Sequence, residues 1–204
     1  MTGNVAPHQN RRAAGLAALL AVGSCGPPKA ATVTTPEPPP PETPPPSRLD
    51  AVWVLESSGV RVDDTSFTML AGQPRVIILR RGPPDNSRFA QVSFPTGVLQ
   101  SSGAGTDSVA VTIRPRPGVY GLDLDVPGQV GVGAAITFSY AMSFVVPAGA
   151  RERYGSALVY ERALYVARID ADDTVVFLPT TRPGSDLLSA PIRSPGRYLV
   201  VAPK

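Results

Sequence analysis

Apolar and polar residues alternate along most of the chain after residue 48. The clearest run places five apolar side chains on one face of a strand: Ile136, Phe138, Tyr140, Met142 and Phe144. A period of two is that of a β-strand with one face on a core and the other towards water. Read as a helix, the same residues would be scattered around the axis. The pattern predicts a strand over residues 135–146 and no convincing helix in residues 48–204.

Other short runs rich in β-branched and aromatic residues predict further strands, and turn-forming pairs such as Pro127-Gly128 separate many of them. These strands cover residues 51–56, 60–62, 66–70, 75–80, 89–94, 108–114, 118–125, 157–169, 174–178 and 196–202. Many short strands at this spacing are typical of a sandwich or a barrel. We predict an all-β fold, an antiparallel immunoglobulin-like sandwich, in one domain over residues 48–204.

Residues 1–24 have the layout of a secretory signal peptide. Arg11 and Arg12 precede an uncharged run over residues 13–23. This run is too short for a membrane span, which needs about 20 apolar residues. The signal peptide is therefore expected to be removed on export.

The run ends in Val22-Gly23-Ser24-Cys25, which resembles the lipobox of bacterial lipoproteins. The resemblance implies cleavage before Cys25, a diacylglyceryl group on its thiol, and acylation of the freed amine, typically with palmitate. Several acyl chains together give a stable membrane anchor. Gly26, where Asp would favour retention at the inner membrane, points to the outer membrane of a host with two membranes. The alternative is an ordinary secretory signal with a chance cysteine.

Residues 25–47 join this terminus to the domain. Ten of the 22 residues from 26 to 47 are proline, which fixes φ and removes a backbone donor. The segment therefore predicts a disordered linker with polyproline II character that acts as a spacer. The alternative is a ligand for a proline-recognising module.

Four stretches of the domain carry a family resemblance. They are Phe94-Pro95-Thr96-Gly97-Val98-Leu99, residues 108–114, residues 119–126, and Ala134-Ala135-Ile136-Thr137-Phe138-Ser139-Tyr140. Together they resemble a zonula-occludens/netrin-receptor (ZU-five type) β-sandwich domain over residues 89–204. The resemblance implies a mostly non-enzymatic domain that serves in protein contacts, and it carries over no catalytic residue.

Charge and composition exclude several functions. The formal net charge is +3, but without Arg11 and Arg12 only 17 basic residues remain against 16 acidic ones. They are scattered, whereas nucleic-acid binders cluster them on one face, so no nucleic-acid partner is expected. The single histidine, His8, lies in the signal peptide. Without imidazole, the usual serine and cysteine triads and ordinary zinc sites are missing, so we expect no enzyme and no cofactor.

Carboxylates are the remaining candidates for catalysis. Two acids a few ångströms apart could hydrolyse a glycoside, and the candidate pairs are Asp123 with Asp125 and Glu152 with Glu161. Asp123 and Asp125 stand two residues apart on a predicted strand, so both face the same way. The alternative is that they solvate the outer face of that strand.

Asp170, Asp172 and Asp173 form an acidic cluster between two predicted strands. Carboxylates at this spacing could contribute part of a Ca²⁺ site. The alternative is a hairpin turn over residues 169–174, because Asp bonds its own backbone in turns. We expect the turn and no metal site.

Four residues are candidates for an interaction surface: Arg151, Arg153, Tyr154 and Trp53. The first three lie in a charged segment that predicts a loop, and exposed Tyr beside Arg is common at interfaces. Tyr154 could instead be a packed loop anchor, and Trp53, among Val52 and Val54, could belong to the core.

These observations predict a non-enzymatic envelope lipoprotein whose sandwich contacts proteins or has a structural role. Its partners would be the membrane, through the N-terminal lipid, and envelope proteins or glycans. A carbohydrate-binding module is the alternative, and a carboxylate glycosidase is a third hypothesis.

Overall fold

The computed structural model describes residues 42–99 and 108–204, so the predicted signal peptide, Cys25 and most of the linker lie outside the described residues. The described chain contains fifteen strands, β1 to β15 in chain order. They are Ser47–Arg48, Val52–Val54, Glu56–Ser57, Thr65–Leu70, Arg75–Arg80, Arg88–Phe94, Ser108–Pro115, Gly121–Asp125, Ala135–Ser139, Phe144–Val145, Tyr165–Ile169, Thr174–Phe177, Thr181–Gly184, Leu187–Pro191 and Gly196–Pro203. Two α-helices, α1 (Ala148–Tyr154) and α2 (Ala157–Arg162), and a 3-10 helix (Leu49–Ala51) complete the described elements.

The strands form two main antiparallel sheets. Sheet I has the order β1-β12-β11-β15-β8-β7-β4, with β2 also paired to β15. Sheet II has the order β13-β14-β9-β6-β5, and β3 and β10 make a separate ribbon. The prediction of an all-β antiparallel sandwich is confirmed.

The main core lies between the two sheets. Inward side chains of sheet I, such as Val111 and Ile113, belong to the same buried cluster as Val92, Ile136 and Phe138 of sheet II. The predicted alternation of these strands is therefore confirmed, because every second residue is buried. Phe138 meets the ring of Phe89 edge to face, at 6.0 Å between centroids.

A second, smaller core covers the outer face of sheet I. Leu199 and Val201 of β15 pack there with Phe177, under Leu49 and Val54 of the segment that enters the domain. β15 is thus buried on both faces, and its sequence reads as a continuous apolar run.

The strand predicted over residues 135–146 is confirmed at Ala135–Ser139 and at Phe144–Val145, and it is wrong between them. The chain turns at residues 141–143 after β9, and Met142 is 77% exposed instead of sharing the buried face. The Tyr140 hydroxyl fixes this departure, because it bonds to groups on α2 and on the segment before β14. Residues 181–191, for which no strand was predicted, supply β13 and β14.

The strand predicted over residues 157–169 and the loop predicted around Arg151 are wrong in part. Residues 148–162 form α1 and α2, which are too short to show an apolar stripe. Gly155 ends α1 with a φ of 70° and an N–H bond to the Arg151 carbonyl, and the Ser156 side chain caps α2.

Candidate interaction surface

Trp53 and Tyr154, the two predicted aromatic contacts, are both half-buried and packed against the domain. The Tyr154 hydroxyl donates to the Pro203 carbonyl, and its ring meets the Tyr160 ring at 5.5 Å. Trp53 packs beneath α1, and Lys204 Nζ lies 4.6 Å from the Trp53 ring centroid. Neither ring belongs to an exposed aromatic strip of the kind that sugars stack on.

Arg151 and Arg153 are exposed on α1. Arg151 contributes its carbonyl to the end of that helix. Their role in contacts remains a prediction, but the tyrosine expected to act with them is engaged within the domain.

The structure brings the Asp123–Asp125 pair close to the acidic cluster of the 169–174 turn. Asp123, on the outer face of β8, and Asp173, in the turn after β11, both lie within 4 Å of the Arg197 guanidinium. They line an open depression of about 350 Å³ with Asp125 and Asp170. Asp123 also accepts a hydrogen bond from Arg116 at 2.9 Å. These carboxylates are paired with arginines on a half-exposed surface.

The predicted hairpin turn over residues 169–174 is confirmed. The Asp170 N–H donates to the Thr174 carbonyl at 2.9 Å, and Asp173 has a φ of 60°. Hydrogen bonds from Thr174 hold the pKa of the Asp172 carboxyl below its usual value. In residues 42–99 and 108–204, no three His, Cys, Asp or Glu side chains are grouped so as to hold a metal ion.

Glu161 belongs to a part-buried hydrogen-bonded cluster that was not predicted. The Tyr140 hydroxyl donates to the Glu161 carboxylate at 2.8 Å and accepts from Arg182 Nη1 at 3.1 Å. Arg182 also donates to the carbonyls of Glu161 and Leu164. The cluster fastens α2 to the end of sheet II. Glu152, the proposed catalytic partner of Glu161, is exposed on α1 and is not part of it.

Buried tyrosines predict a loss of stability at high pH. Burial and the neighbouring Glu161 raise the pKa of Tyr140 to about 12. Burial also raises the pKa of Tyr120, Tyr160 and Tyr198. Phenols of the unfolded chain titrate near 10, so the unfolded state loses protons first. Stability is therefore fully present below about pH 10 and falls as the pH rises through the folded-state values.

Urea unfolding at a series of alkaline pH values tests this expectation. The free energy of unfolding should decline above about pH 10. The tyrosinate absorbance of the folded protein should appear at a higher pH than that of the unfolded chain. Tyr140→Phe should make the decline shallower. A free energy that is constant across this interval would contradict the expectation.

Arg81 is a buried charged group that was not predicted, and its side chain is only 2% exposed. Its guanidinium donates to Tyr120 Oη at 2.9 Å, to Ser57 Oγ at 2.8 Å and to the Val60 carbonyl at 3.1 Å. The parity of β5 could have revealed it, because Arg81 continues the inward series of Ile77 and Leu79. The cavity beside Arg81 has a volume of only about 30 Å³. We therefore assign Arg81 a structural role.

The edge strands of the sheets differ in how they are protected. β1 is two residues long, and β13 carries Pro183 and a register shift. β4 presents Ser66 and Thr68 to solvent. Short strands, proline and polar side chains are the usual protection of a sheet edge against further pairing.

β5, the fourth edge strand, has this protection only at its ends, where Arg75 and Arg80 stand. It is six residues long, and its outward Val76 and Ile78 are 56% and 42% exposed. No described residue pairs with its outer edge between Arg75 and Arg80. β5 is therefore the best candidate for an interaction surface in the described part of the chain.

No known protein family, curated protein or solved structure is significantly similar to this chain. Within residues 42–99 and 108–204, neither α-helix is long and apolar enough to cross a membrane.

Proposed function

We propose that this chain is a lipid-anchored protein of the bacterial cell envelope whose sandwich is a non-enzymatic protein-interaction module. The observation that carries the proposal is the uncovered aliphatic edge of β5. An exposed sheet edge offers unpaired N–H and C=O groups to an extended segment of another protein. In this proposal the partner adds a strand to sheet II beside β5.

The N-terminal sequence supplies the membrane part of the proposal. Val22-Gly23-Ser24-Cys25 provides the lipidation signal, and the proline-rich linker provides the spacer between membrane and domain. Gly26 favours the outer membrane. A tethered module has a high effective concentration at the membrane surface, so a modest affinity for an envelope partner is sufficient.

The placement of the other candidates favours protein contacts over the rival functions. Carbohydrate binding depended on Trp53 and Tyr154, which are packed against α1 and Pro203. Glycoside hydrolysis depended on paired acids, and Asp123 is bound by arginines while Glu161 is bound by Tyr140. In each rival, a side chain that motivated it is engaged within the domain, which supports the proposal of protein contacts.

Photocrosslinking in living cells tests both parts of the proposal. A photoreactive amino acid at Val76 should give a discrete adduct with an envelope protein, whereas the same group at Leu70, 49% exposed on β4, should give none. Intact mass of the purified protein should show a chain beginning at Cys25 with added lipid, and Cys25→Ser should release it from membranes.

Two results would overturn the proposal, one for each part. An unmodified terminus upstream of residue 25 would remove the anchor. Equal crosslinking from Val76 and Leu70, or none from Val76, would remove the docking edge.

A further inference from the structure

We infer that the β5 edge binds an extended aliphatic segment whose flanks are acidic. This inference deepens the proposed function, because it names the chemistry of the partner at the same edge. It is carried by three arginines around β5: Arg75, Arg80 and Arg88.

The chain itself already pairs with the outer edge of β5 at one end. Val62 forms an antiparallel bridge with Arg81, and the Gly82 N–H donates to the Arg61 carbonyl at 3.1 Å. This edge is therefore oriented so that a strand can join it. The bridge stops at Arg81, and none of the six residues before it has a described β-pairing partner on that side. At about 3.3 Å per residue, a partner segment of about six residues would cover them.

The middle of β5 selects an aliphatic segment. Val76 and Ile78 stand on the outer face of sheet II, beside Ser93 and Gln91 of β6. Gln91 in turn pairs with Thr137 of β9. This part of the face carries no charge, so a partner strand with β-branched side chains could pack beside Val76 and Ile78 without burying an unpaired ion.

The ends of β5 select acidic flanks. Arg80 lies directly opposite Arg88 in the β5–β6 register, an arrangement of like charges that is unfavourable in itself. Arg75 is exposed at the other end, over the Phe67 ring at 4.6 Å. Within residues 42–99 and 108–204, no carboxylate lies within 4 Å of these three arginines. A partner with acids on both sides of its aliphatic stretch would supply the missing counter-charges.

The same charges disfavour a second copy of this chain as the occupant. Two β5 strands paired antiparallel about a twofold axis would bring the Arg75 end of each copy beside the Arg80 end of the other, where the positive charges repel one another. Arg88 would add to the repulsion at both ends. The occupant is therefore a different protein segment.

Two synthetic peptides with the same alternating Val/Thr centre test the inference, one flanked by Asp pairs and the other by Lys pairs. Their binding to the full purified chain is measured by fluorescence anisotropy. The acid-flanked peptide should bind at least about tenfold more tightly, which corresponds to about 1.4 kcal/mol. The preference should shrink towards about 1 M salt, where screening acts within about 3 Å.

Matched variants locate the site. Arg80→Glu should abolish the preference for acidic flanks, whereas Arg162→Glu, at an exposed arginine on α2, should retain it. Val76→Asp should weaken the acid-flanked peptide about tenfold or more, and Leu70→Asp on β4 should leave it unchanged. Thermal unfolding of each variant shows whether the domain remains folded.

Several outcomes would overturn the inference. These are equal affinity for the two peptides, no binding of either, or loss of binding with Arg162→Glu. Self-association that Val76→Asp abolishes would assign the edge to a second copy instead. The peptide titrations do not require the lipid, so their results can be interpreted even if Cys25 carries none. A Val76 crosslink without preference for acidic flanks would retain the docking edge and reject only the partner's chemistry.

Discussion

Arg81→Ala should destabilise the domain by about 3 kcal/mol, the largest effect that we expect from a single substitution. The guanidinium satisfies Tyr120, Ser57 and the Val60 carbonyl, and its removal leaves these groups short of a donor in a buried place. It also leaves a cavity beside the stacked Phe89 and Tyr120 rings, each 5.4 Å from the guanidinium carbon. Urea unfolding followed by tryptophan fluorescence measures the loss.

Two controls separate the parts of this effect. Arg81→Met fills most of the volume without restoring a donor, so its stability should lie between those of wild type and Arg81→Ala. Arg114→Ala, at a half-exposed arginine on β7, should change stability by less than about 1 kcal/mol. A loss below about 1 kcal/mol for Arg81→Ala would show that the buried network does not hold the domain together.

Period-two alternation and β-branched runs predict most of sheet I and strands β5, β6 and β9 of sheet II from sequence. Residues 75–80 were predicted as a strand and form β5, and residues 108–114 form all but the last residue of β7. These strands have one buried and one solvated face, so their pattern is local. β14 also alternates, with Leu188 and Ala190 inward, but it was not predicted because its apolar run is short and ends at Pro191.

The sequence could not predict features that depend on distant partners. The turn after Ser139 contains neither Gly nor Pro, and it is fixed by Tyr140 bonds to residues more than 20 positions away. The outward side chains of β15 are buried because the entering segment folds over them. The open edge of β5 likewise depends on strand order, which alternation along one strand does not encode.

The candidate site residues divide in the same way, into properties that are local in sequence and properties that depend on distant partners. The sequence identified carboxylates and aromatics by type, but their partners decide what they can do. Asp123 faces outward as expected and is bound by Arg116 and Arg197. Tyr154 was recognised as a contact residue or an anchor, and its bond to the Pro203 carbonyl makes it an anchor. Functional inference therefore shifts from side-chain chemistry to a surface, the edge of β5.

Gly149→Ala should destabilise the domain by about 2 kcal/mol, because α1 lies directly on Trp53. A Cβ at residue 149 would come within 2.2 Å of Trp53 Cη2 and 2.8 Å of Cζ2. The indole is rigid, so the ring or the helix must move, and overpacking of this kind costs about 1–3 kcal/mol. The helix propensity of Ala offsets little of this, since residue 149 is only the second of α1.

Trp53 is the single tryptophan, so its fluorescence reports the displacement directly. The emission of Gly149→Ala should shift to the red as the indole moves towards water, and Glu152→Ala, an exposed change on the same helix, should leave it unchanged. Trp53→Phe removes the two crowded ring atoms. The double variant should therefore lose less stability, by circular dichroism, than the sum of the single variants. Unchanged emission together with full stability in Gly149→Ala would contradict the close packing of α1 on Trp53.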